Sequence, residues 1–327
     1  MPQLRLGLYF DLRDPPAWRR GFAEVYRSAL ELMEEADERG IDSLWLSEHH
    51  LFADGHLPQP LLFAAAVAAR TRRARIGTAV LLAPLHCAVE IAEQAAVVDQ
   101  MSGGRLELGL GAGYRVPEYE AFGVDPRQRI ALLEDRVQAL PLLWADGGVT
   151  PTVLQSPLPL WVGAHGPRSS RMAGRLGTGL LSLNPALWEP YLQGLDASGH
   201  PRAAARAAGP LAVFLSDDPE RTAAIVRPHA EYQGSSYMAH AREGWSAGDP
   251  PFPLPPMLRG DGPPSAEVVT VEEAVRRIRS LGQQMNVHHV FMWSSLPGMP
   301  DSLVQEHVSL MIDRLAPALR DPARHRV

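Results

Sequence analysis

Two stretches of this chain carry side chains that could do chemistry. Trp45-Leu46-Ser47-Glu48-His49-His50 places a carboxylate beside two imidazoles. Such a set could bind a divalent metal, or supply an acid/base group. Consecutive residues at a strand end point in different directions, so His49 and His50 are poorly placed to share one ion. The residues therefore favour one imidazole facing a pocket as acid/base or hydrogen-bond donor, with the other held in the structure. The second stretch is Leu108-Gly109-Leu110-Gly111-Ala112-Gly113-Tyr114. Its glycines leave a strand end without bulk, where a flat ring or a phosphate could approach the backbone. It is not a dinucleotide fingerprint, which belongs at a first strand and opens directly into a helix, whereas Tyr114 to Arg127 reads as loop.

Composition narrows the chemistry further. The chain has 327 residues, and all 31 of its Lys+Arg side chains are arginine. Without lysine there is no Schiff base, no amine nucleophile and no Walker A loop. A formal charge of −6 with no long run of like charge argues against a nucleic-acid partner. The single Cys87, read as structural, excludes an intramolecular disulfide and a cysteine metal cluster. No signal-peptide pattern opens the chain, and no apolar run approaches the roughly 18 residues of a membrane span. A soluble, cytoplasmic protein is expected.

These residues need elements to position them, and the patterning supplies an alternation of strands and helices. Strands are predicted at Leu4–Phe10, Asp42–Ser47, Arg75–Leu82, Arg105–Leu110, Leu158–Gly163, Gly179–Leu183, Leu211–Leu215 and Val287–Trp293. Helical periods fall between most of them; one carries Pro141, which predicts a kink or early end. Another opens on Thr270-Val271-Glu272-Glu273, with capping-box spacing. Eight strands with helical crossovers are the count of an α/β (β/α)8 TIM barrel in a single domain spanning 1–327. Glu48-His49-His50 then lies on the catalytic face. The interval 232–268 shows no clear period, and Asp249–Pro264 holds seven prolines. We read it as a lid-like, Pro-rich insertion between strands seven and eight. Tyr9, Phe10 and Trp293 end strands on the same face and could frame an organic substrate.

Taken jointly, Glu48-His49-His50, Gly77-Thr78-Ala79, Asp99-Gln100-Met101-Ser102-Gly103-Gly104-Arg105 and Pro159-Leu160-Trp161-Val162-Gly163-Ala164-His165-Gly166 resemble the bacterial luciferase-like family of flavin-dependent monooxygenases. The resemblance covers nearly the whole chain. It implies a (β/α)8 barrel, reduced FMN on the catalytic face, O2 activated as a flavin C4a-peroxide, and oxidation of a small organic substrate. It also implies a separate NAD(P)H:flavin reductase and a homodimer. The family's active-site histidine falls on His49, with His50 beside the substrate. Ala79-Val80 takes the position of a non-prolyl cis peptide found in many members, and Gly111, Gly113 and Tyr114 would line the isoalloxazine. The phosphate site falls on Ala164, His165, Gly166, Arg168, Ser169 and Ser170. There the chain's own residues agree: a helix starting near Arg168 offers free N–H groups, a guanidinium and two hydroxyls. Luciferases proper carry Cys and Arg where this chain has Gly111 and Ala112, which argues against light emission. Glycine-rich versions of that motif occur in members using F420, which leaves an F420-dependent hydride-transfer enzyme as an alternative; a non-catalytic flavin-binding relative is a second. No metal is expected.

Overall fold

The computed structural model describes residues 4–145, 147–244 and 266–320. Its strands are β1 (Arg5–Phe10), β2 (Ser43–Leu46), β3 (Arg75–Thr78), β4 (Leu81–Leu82), β5 (Leu106–Gly111), β6 (Leu160–Gly163), β7 (Gly179–Leu181), β8 (Ala207–Pro210), β9 (Val213–Leu215), β10 (Glu267–Val269) and β11 (Val287–Trp293). The helices are α1 (Phe22–Arg39), α2 (Pro60–Arg70), α3 (Ala88–Ser102), α4 (Val116–Ala121), α5 (Arg129–Trp144), α6 (Pro167–Arg175), α7 (Trp188–Ala197), α8 (Pro219–Ala241), α9 (Val271–Gln284) and α10 (Asp301–Leu310).

Eight strands, β1, β2, β3, β5, β6, β7, β8 and β11, pair in parallel, and β3 closes the ring by pairing with β5 at Ile76↔Leu106. This is the expected (β/α)8 barrel. Its interior is filled by alternating large and absent side chains. A Cβ on Gly77 would sit 2.3 Å from the Trp45 ring, and one on Gly179 would sit 2.2 Å from that of Trp161. Trp45 stacks on Phe291 at 4.6 Å. Beneath these rings lies a polar layer: Trp161 Nε1 donates to Glu107 Oε2 at 2.7 Å, Arg75 pairs with Glu107, and His289 Nε2 is 3.6 Å from Glu107 Oε1.

Several boundaries differ from the sequence reading, among them Arg75–Leu82, which is split into β3 and β4. The seventh barrel strand is Ala207–Pro210; Val213–Leu215 instead pairs with Glu267–Val269 in a separate two-stranded sheet. Residues 232–241 are not irregular but continue α8, which began at Pro219 beyond its cap Asp218. The lid-like reading of 232–268 is thereby confined to 245–265, which lie outside the described residues. The stretch read as loop after Tyr114 contains α4, and α5 runs through Pro141 to Trp144. Cys87 is exposed, as the residue before α3. Among the described residues, no helix is long and apolar enough to cross a membrane.

Candidate active site

The carboxyl ends of the strands bring the chemistry-bearing residues to one mouth. β2 delivers Glu48, His49 and His50, all buried. The two imidazoles turn to different carboxylates. His49 Nδ1 donates to Glu118 Oε1 at 2.9 Å, and the His50 backbone N–H donates to the same oxygen at 2.8 Å. A carboxylate only accepts, so the proton of neutral His49 sits on Nδ1 and Nε2 is left as a base. The Tyr114 hydroxyl approaches that Nε2 at 3.3 Å. Burial first, and the nearby Glu118 charge second, push the Tyr114 phenol up, so it stays protonated and can donate.

His50 belongs to a second cluster. Its Nε2 and the Nε2 of His86 donate to Glu48 Oε1 at 2.9 and 2.8 Å, and the Leu82 amide donates to Glu48 Oε2. Burial would raise Glu48, but the hydrogen bonds and charges of His50 and His86 hold it below the usual carboxylate range. His86 is raised: burial pulls it down, and Glu48 more than reverses this. The three donor atoms lie within 4.8 Å of one another. Each imidazole is committed to the carboxylate, and the cluster pins the β2 exit to β4. His50 therefore holds structure here and does not pair with His49.

The floor of the mouth is Ala79-Val80. Their peptide bond is cis, and the Tyr9 hydroxyl donates to the Ala79 carbonyl. Val80 explains the glycines of β5 and β6: a Cβ on Gly111 would lie 2.3 Å from Val80 Cγ2, and one on Gly163 would lie 3.1 Å from Val80 Cγ1. The glycines thus make room for a side chain of the floor, a nearer reason for their absent bulk than approach of a ring. Gly113 has φ +67°, a left-handed turn that carries the chain toward Tyr114.

Tyr9 stacks on Trp293 with ring centroids 4.1 Å apart, so these two line the interior. Phe10, the next residue on β1, points to the opposite side and joins the packing between barrel and helices. On β1 the inward position is therefore held by Tyr9, next to the expected Phe10.

At the end of β6, Ala164 is buried, and His165, Gly166, Pro167 and Arg168 open outward into α6. A Cβ on Gly166 would meet nothing within 4 Å, so space is open before the helix start. Pro167 has no N–H, the Ser170 amide bonds Gly166 O, and the amides of Arg168 and Ser169 begin the helix. Arg168 is exposed. Ser169 Oγ donates to Gly166 O at 3.0 Å and can turn outward. Ser170 is buried, and its hydroxyl donates to Leu187 O at 2.6 Å, so its proton is already committed inside the fold. The open N–H groups and the exposed guanidinium suit a phosphate, and the Ser169 hydroxyl could join them by giving up its bond to Gly166 O.

Glu118 was missed by sequence reading. It lies 69 residues beyond His49 on a short helix taken for loop. The signal available was Pro117-Glu118, a proline followed by an acidic residue as in a first helical turn.

With this geometry in place, comparison with known proteins gives the class. A model of the family described as luciferase-like monooxygenase matches residues 7–256, and the chain belongs to this family. It is 38% identical over 172 residues to 4-hydroxyprotoasukamycin monooxygenase of Streptomyces nodosus subsp. asukaensis, covering 47% of this chain and 46% of that one. It is 34% identical over 197 residues to the F420-dependent glucose-6-phosphate dehydrogenase of Kineococcus radiotolerans, covering 50% and 57%. The chain thus spans about half the length of the curated relatives it matches. Among solved structures it superposes on the oxygenating constituent of 3,6-diketocamphane monooxygenase of Pseudomonas putida, a type II Baeyer-Villiger monooxygenase in complex with FMN. That likeness has a TM-score of 0.70 at 17% identity and covers 96% of this chain and 98% of that one; it bears on the fold.

Proposed function

We propose that this chain is a flavin-dependent monooxygenase. It takes reduced FMN from a separate NAD(P)H:flavin reductase and oxidises a small organic molecule with O2. The observation that carries this reading is His49: a buried imidazole whose Nδ1 is fixed by Glu118, leaving Nε2 as a base beside Tyr114 at the barrel mouth. Bound there, the reduced flavin would supply the electrons that activate O2. The chain's residues do the rest. Arg168, Ser169 and the first α6 amides hold the phosphate, and Ala79, Val80, Gly111, Gly113 and Tyr114 hold the ring. His49 accepts or returns a proton at Nε2, and the aromatic pair Tyr9 and Trp293 excludes water beneath. Exposed apolar residues on α2 and α3, Leu62 at 74% and Met101 at 49%, support a homodimer through these helices.

A second reading has its own support. The identity to an F420-dependent dehydrogenase and the Gly111-Ala112-Gly113 turn favour hydride transfer to or from F420, with no oxygen. Fluorescence quenching with FMN and F420 separates the two, together with oxygen uptake when a flavin reductase and NADH supply reduced FMN. Tight F420 binding with no FMN-dependent oxygen uptake above the reductase blank sinks the monooxygenase.

A further inference from the structure

Outside the barrel wall, α1 and α10 lie side by side with a space between them. Arginines span its two ends: Arg20 Nη1 donates to Asp301 Oδ1 at 2.7 Å, and Arg39 Nη2 donates to Ser309 Oγ and Asp313 Oδ2 at 3.0 and 2.8 Å. Between these spans lies a cavity of about 320 Å3, partly open to solvent. That size falls within the range of small-molecule sites, about 300–1,000 Å3. The cavity is separate from the barrel mouth, since Tyr9, His49, Val80, Tyr114 and Trp293 take no part in its lining.

Its lining divides by chemistry. Phe10, Val25, Ala29, Leu32, Met299 and Val304 make an apolar floor. The stretch of α1 that lines it, Val25 to Glu35, rises on the order of 15 Å, so the space is elongated along the helix. At the β11 exit it meets Ser294, which follows the inward Trp293 and so turns outward, to the side of Phe10. Ser294 is 3% exposed, and its hydroxyl makes no hydrogen bond among the described residues, yet that oxygen is not sealed from water. Farther along α1, Glu31 and Glu35 stand one turn apart on the face turned to the cavity. Arg27 holds Glu31 Oε1 at 3.4 Å and Arg39 holds Glu35 Oε1 at 2.8 Å, and Oε2 of each carboxylate is unpaired among the described residues.

Charge selects the ligand. Five carboxylates line the cavity, those of Asp11, Asp14, Glu31, Glu35 and Asp301, and its two guanidiniums, Arg13 and Arg20, are already paired with Asp54 and Asp301. An anion would be repelled, and a hydrocarbon would leave the Ser294 hydroxyl without a partner. An ammonium group has three donors, enough to bridge Glu31 and Glu35 and to relieve the repulsion of like charges one turn apart.

We propose that this cavity is a second small-molecule site, for an organic ammonium ion. The head lies between Glu31 and Glu35, an apolar body covers Phe10, Ala29 and Val304, and a hydroxyl at the far end bonds the Ser294 hydroxyl.

Ligand-observed saturation-transfer NMR on the full chain, with and without FMN, tests this with tyramine, tyrosol and para-hydroxyphenylacetate, an amine, an alcohol and a carboxylate of one skeleton. Tyramine is expected to bind about tenfold more tightly than tyrosol, the value of a charge-assisted hydrogen bond, and the carboxylate to give no transfer. FMN should leave the tyramine signal unchanged. Ala29→Phe fills the floor and should abolish the signal. Because that change is buried, the double variant Glu31→Gln with Glu35→Gln, on the outer part of α1, supplies a second arm: it keeps the shape and should bring tyramine down to the level of tyrosol. Equal signals from the three probes, a carboxylate preference, or no transfer from tyramine would overturn the proposal. A tyramine signal undiminished in the double variant would do the same, and displacement by FMN would place the amine in the barrel mouth instead.

Discussion

Glu118 does to His49 what a carboxylate does to a catalytic imidazole in general: it fixes the tautomer and the ring orientation through one hydrogen bond. Glu118→Gln keeps the shape, but its amide can donate as well as accept, so the ring is no longer held with its proton on Nδ1. The 15N shifts of the His49 ring nitrogens should move from a fixed Nδ1–H tautomer to a mixture, and turnover should fall about 10- to 100-fold. Unchanged ring shifts would show that Tyr114 alone orients the imidazole. Two imidazoles with different roles were legible in the sequence because Glu48-His49-His50 sits at a strand end, and only the family resemblance singled out His49. Its partner was not, because a pairing across 69 residues leaves no local trace. The floor offers a second test at this scale. Gly111→Cys, the residue luciferases proper carry, would drive a Cβ into Val80. A loss of about 1–3 kcal/mol in urea unfolding is expected, with much of it recovered by pairing the change with Val80→Ala. Additive losses from the two changes would mean that the contact is relieved elsewhere.

At the scale of elements, the strand count was readable and two assignments were not. Leu211–Leu215 outscored Ala207-Ala208-Gly209-Pro210 as a strand because β-propensity rewards bulky apolar residues. The barrel position instead goes to the small residues, which pack at 0% exposure for Ala207 and Ala208 against β7 and β11. The second half of α8 escaped because a helix buried at Ala230, Gln233 and Ala241 shows no clean polar face, and Pro228 lies inside it. Helix α6 was easier, since Gly166-Pro167 announces its start. Its open N-terminus carries the element-scale prediction. Arg168→Ala should weaken FMN about tenfold by removing a charge-assisted hydrogen bond, and leave riboflavin, which lacks the phosphate, unaffected. Equal weakening of both in fluorescence titrations would place Arg168 against the ring system or assign it to folding. Ser170→Ala should cost stability through the lost bond to Leu187, with little effect on flavin affinity.

For the whole molecule, the buried histidines set how the fold answers acid. His307 joins α10 to the strands: its Nδ1 accepts from the Leu215 N–H at 2.8 Å and its Nε2 donates to Trp293 O at 3.1 Å. Protonating Nδ1 would set two donors against each other, and burial pushes the group down to about 3, from 6.5 in the unfolded chain. The unfolded chain therefore binds this proton first. Stability is fully present above pH 6.5 and declines as the pH falls from there toward about 3, at about 1.4 kcal/mol per pH unit while the difference lasts. Glu107 acts in the same direction lower down. Burial would raise it, but the hydrogen bond and charge of His289 and the charge of Arg75 hold it at about 2, so its contribution is lost between pH 4.5 and about 2. Asp11 opposes both. Burial raises it to about 6 from 3.8, the folded state keeps its proton longer, and its ionisation costs stability as the pH rises through that window. Just below pH 6.5 the His307 slope should add to those of His56, His165, His288 and His289, which burial also lowers, and below pH 6 Asp11 should partly mask the sum. His307→Gln, whose amide can accept from Leu215 and donate to Trp293 without titrating, should flatten the fall of the unfolding free energy between pH 7 and 6 in urea titrations. A slope unchanged in that variant would move the acid sensitivity to another buried imidazole, with His289 in the polar layer beneath the barrel next to be tested.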